Sequence, residues 1–430
     1  MSDKKENPSS EWVVLEEEQV EDPKKARRQL KAAHRAQKRR ENRARRLSRI
    51  VVALTAAVAL YCVLVFSHIH FIEKWRTIYI ETAMGTMNHQ WLATMFLPQS
   101  VIDDVMNGRR TIEFQQEEYN SDWDTGDTFT SPEQAMDTWD AIKGQFFEVY
   151  AEIDQDSFEN YMEQHKRSDV LDEDGYLLID AADYNADETG ITTIYGDPVC
   201  AIDTRNGIVI VALRGDGYCG RMAIVKNPAQ VKLAVSNSLG SSGSYLKEIC
   251  KQNAAALGIN ASGFADPEGA GNGGEAMGII LSDSVPHRTT MDETMKVIGM
   301  DTANRLNISN TLLSGTRDAM QFSPALVVNG EQLISGSSGW GLQPRSVIGQ
   351  TASGQMLMAV VDGRQPGYSV GITLGDLTDI LYQYGAYQAC NLDGGSSSVM
   401  YYRGRNITRS SAVTPDKGRH IPNAWIVTEN

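Results

Sequence analysis

The sequence lacks the signatures of several common enzyme and metal-site classes. Its 430 residues include only five cysteines, and no two of them form a Cys-x-x-Cys pair that would predict a zinc site. The seven histidines include no ligand-like pair apart from His68 and His70. There is no Gly-x-Ser-x-Gly elbow and no phosphate-binding loop, so the essential parts of a serine hydrolase or a nucleotidase are missing.

Charge is absent from one stretch near the N-terminus. Residues 50–72 contain no Asp, Glu, Lys or Arg, and Thr55 is the only clearly polar residue between positions 50 and 66. A helix needs about 20 such residues to cross the core of a bilayer. A buried core helix or the centre of a signal peptide fits less well, because a charged block precedes the run and no small-x-small cleavage site follows it. The sequence therefore predicts a single transmembrane signal anchor at 50–72.

Positive charge is concentrated before this run. The whole chain carries −15, which excludes a free basic nucleic-acid binder, yet residues 1–49 hold 15 Lys and Arg against 9 Asp and Glu, a balance of +6, and residues 73–430 carry −21. Positive charge beside a span stays in the cytoplasm. We therefore expect a single-pass cell-membrane protein with residues 1–49 as a cytoplasmic tail. The basic run could also be an RNA-binding arm, but anionic lipid explains it without a nucleic-acid partner.

The region between residues 73 and 195 is expected to contain membrane-proximal helices and a linker. Apolar residues at helical spacing predict an amphipathic helix from 73 to about 120. Acidic and turn-forming residues at 113–135 indicate the linker, and a second helix is expected over 135–164.

From residue 196 to the C-terminus the pattern favours an α+β fold. Short β-rich runs separated by glycines predict hairpins between 199 and 225, and residues 245–257 are predicted to be a helix that ends at Gly258. We expect a mixed β-sheet domain with flanking helices at 196–430. The four cysteines outside the span could form disulfides, but their spacing gives no connectivity.

A strand-helix-strand unit is predicted close to the C-terminus. Residues 355–361 form a buried-strand run, and 387–392 form another. Between them Thr373 and Asp376 resemble a capping box, and the helix that they begin should stop at Gly385. A crossover of this length makes the two strands parallel and right-handed.

Asp362 and Asp393 follow these two strands and should leave the sheet at the same edge, where open sheets usually hold ligands. Two carboxylates there could act as acid and as base or nucleophile in the hydrolysis of a glycosyl bond. They could instead bind a hard cation through oxygen ligands. They could also be turn residues that only bond the local backbone, and the spacing alone leaves all three readings open.

Polar and glycine residues near these carboxylates suggest an anionic or hydroxyl-rich ligand. Gly394 and Gly395 permit a close backbone approach, and Ser396 adds a hydrogen-bond donor. Arg345 and Arg419 are candidates for a bidentate clamp on a phosphate or carboxylate, although either arginine could simply form a surface salt bridge.

Six ordered motifs resemble the phosphodiester glycosidase family, over about residues 196–430. They are Ile259-Asn-Ala-Ser-Gly-Phe264, Phe322-Ser-Pro-Ala-Leu-Val-Val-Asn-Gly330, Pro344-Arg-Ser-Val-Ile-Gly-Gln350, Val361-Asp-Gly-Arg-Gln-Pro-Gly367, Asn391-Leu-Asp-Gly-Gly-Ser-Ser-Ser398 and the stretch from Arg419 to Asn423. Animal members remove N-acetylglucosamine from a phosphodiester, and bacterial members are commonly called exopolysaccharide biosynthesis proteins. The resemblance implies hydrolysis of a sugar-1-phosphodiester in the lumen or outside the cell.

The resemblance also implies site residues. The positions that fall in its motifs are Asn260, Arg345, Asp362, Asn391, Asp393 and Arg419, with Asp318 just ahead of the second motif. As a hypothesis, Asp393, Asp362 and Asp318 are catalytic candidates. Arg345 and Arg419 would hold the phosphate, and Asn260 and Asn391 would orient sugar hydroxyls.

The predicted function is therefore that of a membrane-anchored hydrolase of a cell-surface glycopolymer. The sequence requires no cofactor, although a divalent cation is not excluded. A non-catalytic glycan-binding or envelope-assembly protein, and a metal-dependent phosphodiesterase that cuts on the other side of the phosphate, are the two alternatives.

Overall fold

The computed structural model describes residues 23–86, 89–123, 126, 128–132, 135–184 and 189–430. The chain divides into two compact units, and the boundary lies between Glu73 and Lys74. The first 22 residues of the predicted cytoplasmic tail lie outside the described residues.

Ten α-helices occur in the described part of the chain. They are α1 (Pro23–Phe66), α2 (His70–Met84), α3 (Trp91–Thr94), α4 (Gln99–Gln115), α5 (Trp139–Ile142), α6 (Phe146–Val149), α7 (Gln155–Gln164), α8 (Arg167–Val170), α9 (Leu246–Gln252) and α10 (Leu374–Gln383). The last of these lies inside the predicted strand-helix-strand unit.

The strands of the described chain are short and numerous, as the glycine-separated β-rich runs predict. They are β1 (Leu178–Asp180), β2 (Val199–Asp203), β3 (Ile208–Gly215), β4 (Tyr218–Val225), β5 (Val231–Val235), β6 (Ser244–Tyr245), β7 (Ala255–Asn260), β8 (Ile280–Ser282), β9 (Val285–Arg288), β10 (Lys296–Asp301), β11 (Leu306–Ser309), β12 (Thr316–Phe322), β13 (Ala325–Val328), β14 (Glu331–Gln332), β15 (Arg345–Thr351), β16 (Met356–Val361), β17 (Ala386–Asn391), β18 (Met400–Tyr402), β19 (Arg405–Asn406), β20 (His420–Ile421) and β21 (Asn423–Thr428).

Helix α1 joins the basic stretch and the apolar run in one helix of 44 residues. By length and composition it could cross a membrane, and a membrane anchor and a signal sequence both fit that description. It ends at Phe66, and α2 begins at His70. The span predicted at 50–72 therefore covers the end of one helix and the start of another.

The predicted helix from 73 to about 120 is broken into α2, α3 and α4. Pro98 lies at the N-cap of α4 with φ −60° and ψ 140°, an extended conformation that a continuous helix cannot contain. The helices pack on one another through the buried side chains of Ile80, Ala83, Ala93 and Ile102. The apolar spacing was read correctly, but the breaks were missed.

The acidic segment predicted as a linker is attached to the domain. The N–H of Ser121 donates to the carbonyl of Ile308 at 2.8 Å, and the N–H of Phe129 donates to that of Ala303 at 2.9 Å. The helix predicted over 135–164 is divided into α5, α6 and α7.

Three sheets form the body of the second unit, and together with the helices they give the predicted α+β fold. The largest has the strand order β1-β2-β3-β4-β16-β15-β17-β13-β14, and the two five-stranded sheets have the orders β11-β10-β12-β8-β9 and β19-β18-β7-β21-β5. Strands β6 and β20 form a small separate pair.

The large sheet is buried on both faces. Alternating side chains of β15 point to opposite sides. Val347 belongs to the apolar cluster that includes residues of α5, α6, α7 and α10, while Ile348 belongs to the cluster that includes residues of the two five-stranded sheets. This double burial explains why β15 and β16 consist entirely of buried residues.

Strands β16 and β17 run in the same direction, as the strand-helix-strand pattern predicts, but they are not neighbours. Strand β15 lies between them and is antiparallel to both. The Thr373 hydroxyl accepts a hydrogen bond from the N–H of Asp376 at 3.1 Å, which confirms the predicted start of α10. Gly385 has φ +80° just after the helix, as a C-terminal stop requires.

The helix predicted at 245–257 is wrong over its second half. Helix α9 ends at Gln252, Ala254 takes φ +46°, and β7 begins at Ala255. The run from Ala255 onward forms a central strand: β18 and β21 pair with its two edges, and all of its residues are buried. The five cysteines, all in the described part of the chain, form no disulfide bond.

Candidate active site

The ends of neighbouring strands bring the predicted residues to one edge of the large sheet. The last residues of β16 and β17 pair with Arg345 and Val347 at the start of β15. Asp362 and Asp393, which follow those strands, therefore emerge at the same edge, as their strand directions predict.

Asn260, at the end of β7, fixes the backbone of the Asp393 turn. Its Nδ2 donates to the carbonyl of Asp393 at 2.7 Å, and its Oδ1 accepts from the Ser346 hydroxyl at 2.6 Å. The N–H of Asp393 donates to the carbonyl of Ala261 at 3.1 Å. Asn260 is only 1% exposed, so its amide links two sheets instead of facing a ligand.

Asp393 itself is half-buried, and the pKa of its carboxyl group is raised. Burial raises the pKa of its carboxyl group to about 6, while a hydrogen bond to Ser397 and the positive charge of Arg419 oppose this rise. At neutral pH and slightly below, the group can therefore exist in either protonation state, which suits it to proton transfer.

The two glycines after Asp393 let the turn pack closely against Pro344 and Arg364. A Cβ atom on Gly394 would lie 2.8 Å from the carbonyl oxygen of Pro344, and one on Gly395 would lie 3.0 Å from Nη1 of Arg364. Gly395 has φ +61°, and its N–H donates to the same Pro344 carbonyl at 3.0 Å. The guanidinium of Arg364 thus lies directly against the turn.

Arg364 is held in this place by one buried side chain. The Oε1 atom of Gln343 accepts from Nε of Arg364 at 2.9 Å and from its Nη2 at 2.7 Å. Asp393 attracts this guanidinium, and Arg419 repels it, so the three charges lie close together.

Arg419 provides a second guanidinium beside the turn. It forms a two-pronged ion pair with Asp266, with distances of 2.6 and 2.8 Å, and its Nη1 also donates to Oγ of Ser396 at 3.3 Å. The guanidinium lies 4.8 Å from the ring centroid of Phe264. The bond to Asp266 and the charges of Asp266 and Asp393 raise the pKa of Arg419, so it stays cationic.

Asp362 has a different environment from Asp393. Its side chain is 2% exposed, its two oxygens accept from the N–H of Arg409 at 3.0 and 2.9 Å, and the Tyr368 hydroxyl donates to it at 2.9 Å. Burial raises the pKa of Asp362 to about 6. These contacts favour the turn-stabilising reading of this residue over direct contact with a substrate.

Asp318 belongs to a buried ion pair in another sheet. It pairs with Arg317, and its Oδ1 accepts from the N–H of Asp283 at 2.9 Å. Its partners share no residue with those of Asp393, and burial raises its pKa. The catalytic role of Asp318 stays a prediction that this geometry does not support.

Two further predicted residues are buried beside the turn. Nη2 of Arg345 donates to the carbonyls of Trp340 and Gly341 at 2.8 and 3.1 Å, and burial lowers its pKa, with repulsion from Arg364 adding to the effect. Asn391 donates from Nδ2 to the carbonyl of Ser323 at 3.0 Å, while its Oδ1 has no partner among the described residues. Their substrate-binding roles remain predictions.

Comparison with known proteins identifies the region that contains this turn. Residues 253–428 match the family model described as phosphodiester glycosidase. This stretch of the chain belongs to the phosphodiester glycosidase family. The match covers all the residues of the turn and of the two arginine contacts described above.

Individual relatives of the phosphodiester glycosidase region are distant. The SPbeta prophage-derived uncharacterized protein YomE of Bacillus subtilis is 30% identical over 182 residues, which is 38% of this chain and 27% of that protein. The chain thus spans about a quarter of the length of this curated relative.

Two solved structures match this chain with low sequence identity and low TM-scores. The catalytic domain of zebrafish N-acetylglucosamine-1-phosphodiester alpha-N-acetylglucosaminidase, auto-inhibited by its pro-peptide, is 17% identical, with a TM-score of 0.43 over 52% of this chain and 82% of that one. A hypothetical protein from Synechocystis is 16% identical, with a TM-score of 0.40 over 56% of this chain and 65% of the other.

Sequence reasoning missed several residues at the turn of the phosphodiester glycosidase region. Arg364 lies inside the fourth motif and Asp266 lies two residues after the first, but neither was singled out, although an arginine directly after Asp-Gly was a usable signal. Gln343 carried no signal, because its importance comes from contacts across the fold, whereas Ser397 lies within the fifth recognised motif. Among the described residues, no three His, Cys, Asp or Glu side chains form a group that could hold a metal ion. The positive charge beside Asp393 comes from the two arginines.

Proposed function

We propose that the phosphodiester glycosidase region hydrolyses a glycosyl-phosphodiester bond in a cell-surface polysaccharide or glycopolymer. One observation carries the proposal: Asp393, whose carboxyl has a pKa of about 6, is flanked by the guanidinium groups of Arg364 and Arg419. A general acid or base next to two cations is the equipment that a sugar-1-phosphodiester requires.

The two arginines and Ser396 would bind the phosphate. Arg364 lies against Gly395, and Arg419 reaches Ser396, so a phosphate at the turn could bond to both guanidinium groups. Such charge-assisted bonds also stabilise the negative charge that the phosphate gains as it leaves.

Asp393 would act as the general base. It takes a proton from a water molecule as the water oxygen attacks the anomeric carbon, the bond from that carbon to the phosphate oxygen breaks, and the phosphomonoester leaves with the bonding electrons. Phosphate is a good leaving group, so one carboxylate suffices. The other nearby carboxylate, Asp266, is occupied by its ion pair with Arg419.

Anchoring by α1 is part of the same proposal. Its 17 residues from 50 to 66, apolar apart from Thr55, would span the membrane, and the Lys- and Arg-rich stretch before them would keep the N-terminus in the cytoplasm. The domain would then meet its polymer outside the membrane.

The test is product analysis with full-length protein in detergent and a sugar-1-phosphodiester as substrate. We expect free sugar and a phosphomonoester, and the Asp393→Asn variant should lose roughly a hundredfold or more of the rate. Asp379→Asn, at an exposed carboxylate of α10, is the matched control and should keep full activity. The rate should rise with pH through about 6, the pKa of Asp393.

The same assay separates the alternatives. Release of a sugar phosphate would point to a phosphodiesterase, and binding without turnover would point to a glycan-binding protein. Unchanged turnover in Asp393→Asn would refute the assignment of the base.

A further inference from the structure

Helix α2 is hydrogen-bonded to the loop that precedes β15. The hydroxyl of Thr82 accepts from the N–H of Leu342 at 3.0 Å, and its carbonyl accepts from Nε2 of Gln343 at 2.9 Å. One residue earlier, Oε1 of Glu81 accepts from the N–H of Gly339 at 2.8 Å. Three hydrogen bonds from two neighbouring residues, Glu81 and Thr82, therefore connect α2 to the loop 339–343.

The loop is shaped to receive this helix. A Cβ atom on Gly341 would lie 2.4 Å from the backbone nitrogen of Thr82, and one on Gly339 would lie 2.1 Å from Cβ of Arg109 in α4. Both glycines have positive φ, +55° and +87°. The Arg109 guanidinium also lies 5.0 Å from the ring of Trp340. Only glycine allows the backbone to approach α2 and α4 so closely.

Gln343 carries the connection from α2 to the turn. Its Nε2 donates to the backbone carbonyl of Thr82, and its Oε1 accepts from the guanidinium of Arg364. Only one orientation of the amide satisfies both partners. The side chain is 4% exposed. A shift of Thr82 would therefore change the position of the Arg364 guanidinium against Gly395.

We propose that Thr82 is a positioning residue of the phosphate site, acting through Leu342 and Gln343 to hold Arg364 against the Asp393 turn. The inference rests on the proposed function, because it assigns Arg364 to the phosphate. It also extends the site beyond the matched region 253–428 to a helix that follows directly after α1 in the sequence.

Binding of inorganic phosphate to the full-length protein in detergent, measured by calorimetry, tests the proposal. Thr82→Val keeps the shape of the side chain and removes the hydroxyl that accepts from Leu342. We expect it to weaken phosphate binding roughly three- to tenfold, the usual effect of one hydrogen bond. Thr82→Ser keeps the hydroxyl and should bind as the wild type does. Thr94→Val removes an exposed hydroxyl of α3 and should also have no effect.

A double-mutant cycle tests whether Thr82 acts through Gln343. Gln343→Ala should weaken phosphate binding at least as much as Thr82→Val, and the double variant should be no worse than Gln343→Ala alone. Additive effects would overturn the proposal, as would wild-type affinity in a folded Thr82→Val or a wild-type protein that does not bind phosphate. If Thr82→Val loses its near-UV circular dichroism, Thr82→Ala makes the same test.

Steady-state kinetics separates this inference from the proposed function. With active protein, Thr82→Val should raise KM for the phosphodiester more than it lowers kcat, because ground-state phosphate binding is lost, whereas general destabilisation would lower kcat through the active fraction. If wild-type protein binds phosphate through this connection and releases no sugar, the activity is refuted and the positioning role stands.

Discussion

Asp362 provides a test of the distinction between a structural and a catalytic carboxylate. Its oxygens bond the N–H of Arg409 and the hydroxyl of Tyr368, and no more than 2% of the residue is exposed. Asp362→Asn removes the ionisable group with little change in size. The amide oxygen can still accept from Arg409, and the amide nitrogen can donate to the Tyr368 oxygen.

The size of the effect follows from the pKa. Burial raises the pKa of Asp362 to about 6, against about 3.9 for an exposed aspartate. The folded protein therefore holds this proton to a higher pH than the unfolded chain does, so stability falls as pH rises from about 4 and the loss is complete just above 6. Two pKa units at about 1.36 kcal/mol each give a loss of about 3 kcal/mol, which the asparagine variant does not suffer.

The measurement is urea unfolding of the full-length protein in detergent at about pH 4, 6 and 8, for the wild type and Asp362→Asn. The free energy of unfolding of the variant, relative to the wild type, should increase by about 3 kcal/mol between the lowest and the highest pH. Asp379→Asn, at an exposed position, should show no such trend. A difference that is the same at every pH would refute the reasoning, and loss of all turnover in a folded Asp362→Asn would return this residue to the catalytic candidates.

Three further outcomes can be checked with the same protein. In Asp266→Asn, the amide has only one oxygen and cannot accept both hydrogen bonds from the Arg419 guanidinium. We expect this change to lower the free energy of unfolding by about 1–3 kcal/mol in urea titrations and to weaken phosphate binding. Gly395→Ala should reduce phosphate affinity because its Cβ would displace Arg364, whereas Gly336→Ala, with the same φ of +61° and open space around it, should cost stability alone. Residues 73–430 carry a net charge of −21, which should repel a phosphopolymer at long range. We therefore expect turnover to rise with moderate salt, and a steep fall would contradict this picture.

Local sequence signals predicted the parts of the fold that local contacts determine. The capping residue Thr373 and the stop at Gly385 bounded α10 correctly, because both act within one turn of the helix. Strand β16 and strand β17 were recognisable as short apolar runs next to glycines. The common direction of these strands then followed from the length of the helix between them.

The parts that could not be predicted depend on pairing over long distances. Nothing in the sequence indicated that β15 would lie between β16 and β17, since its pairing with β17 joins segments that are distant in the sequence. The strand that starts at Ala255 was taken for the end of a helix because a short buried run has no diagnostic period. The role of Gln343 was equally invisible, because Thr82 is far from it in sequence and two strands, β15 and β16, separate it from Arg364.

The two Asp-Gly turns show why a shared sequence signal and a shared pKa do not imply a shared role. The pKa values of Asp362 and Asp393 are both raised to about 6 by burial, so titration alone does not distinguish them. The difference lies in their neighbours. Asp362 is enclosed by a backbone N–H and a tyrosine hydroxyl, while Asp393 has a second glycine after it, and Gly395 leaves space that the Arg364 guanidinium fills. Only the second arrangement places a titrating carboxyl beside cationic side-chain groups that an anionic substrate could bind, which is why we assign the chemistry to Asp393.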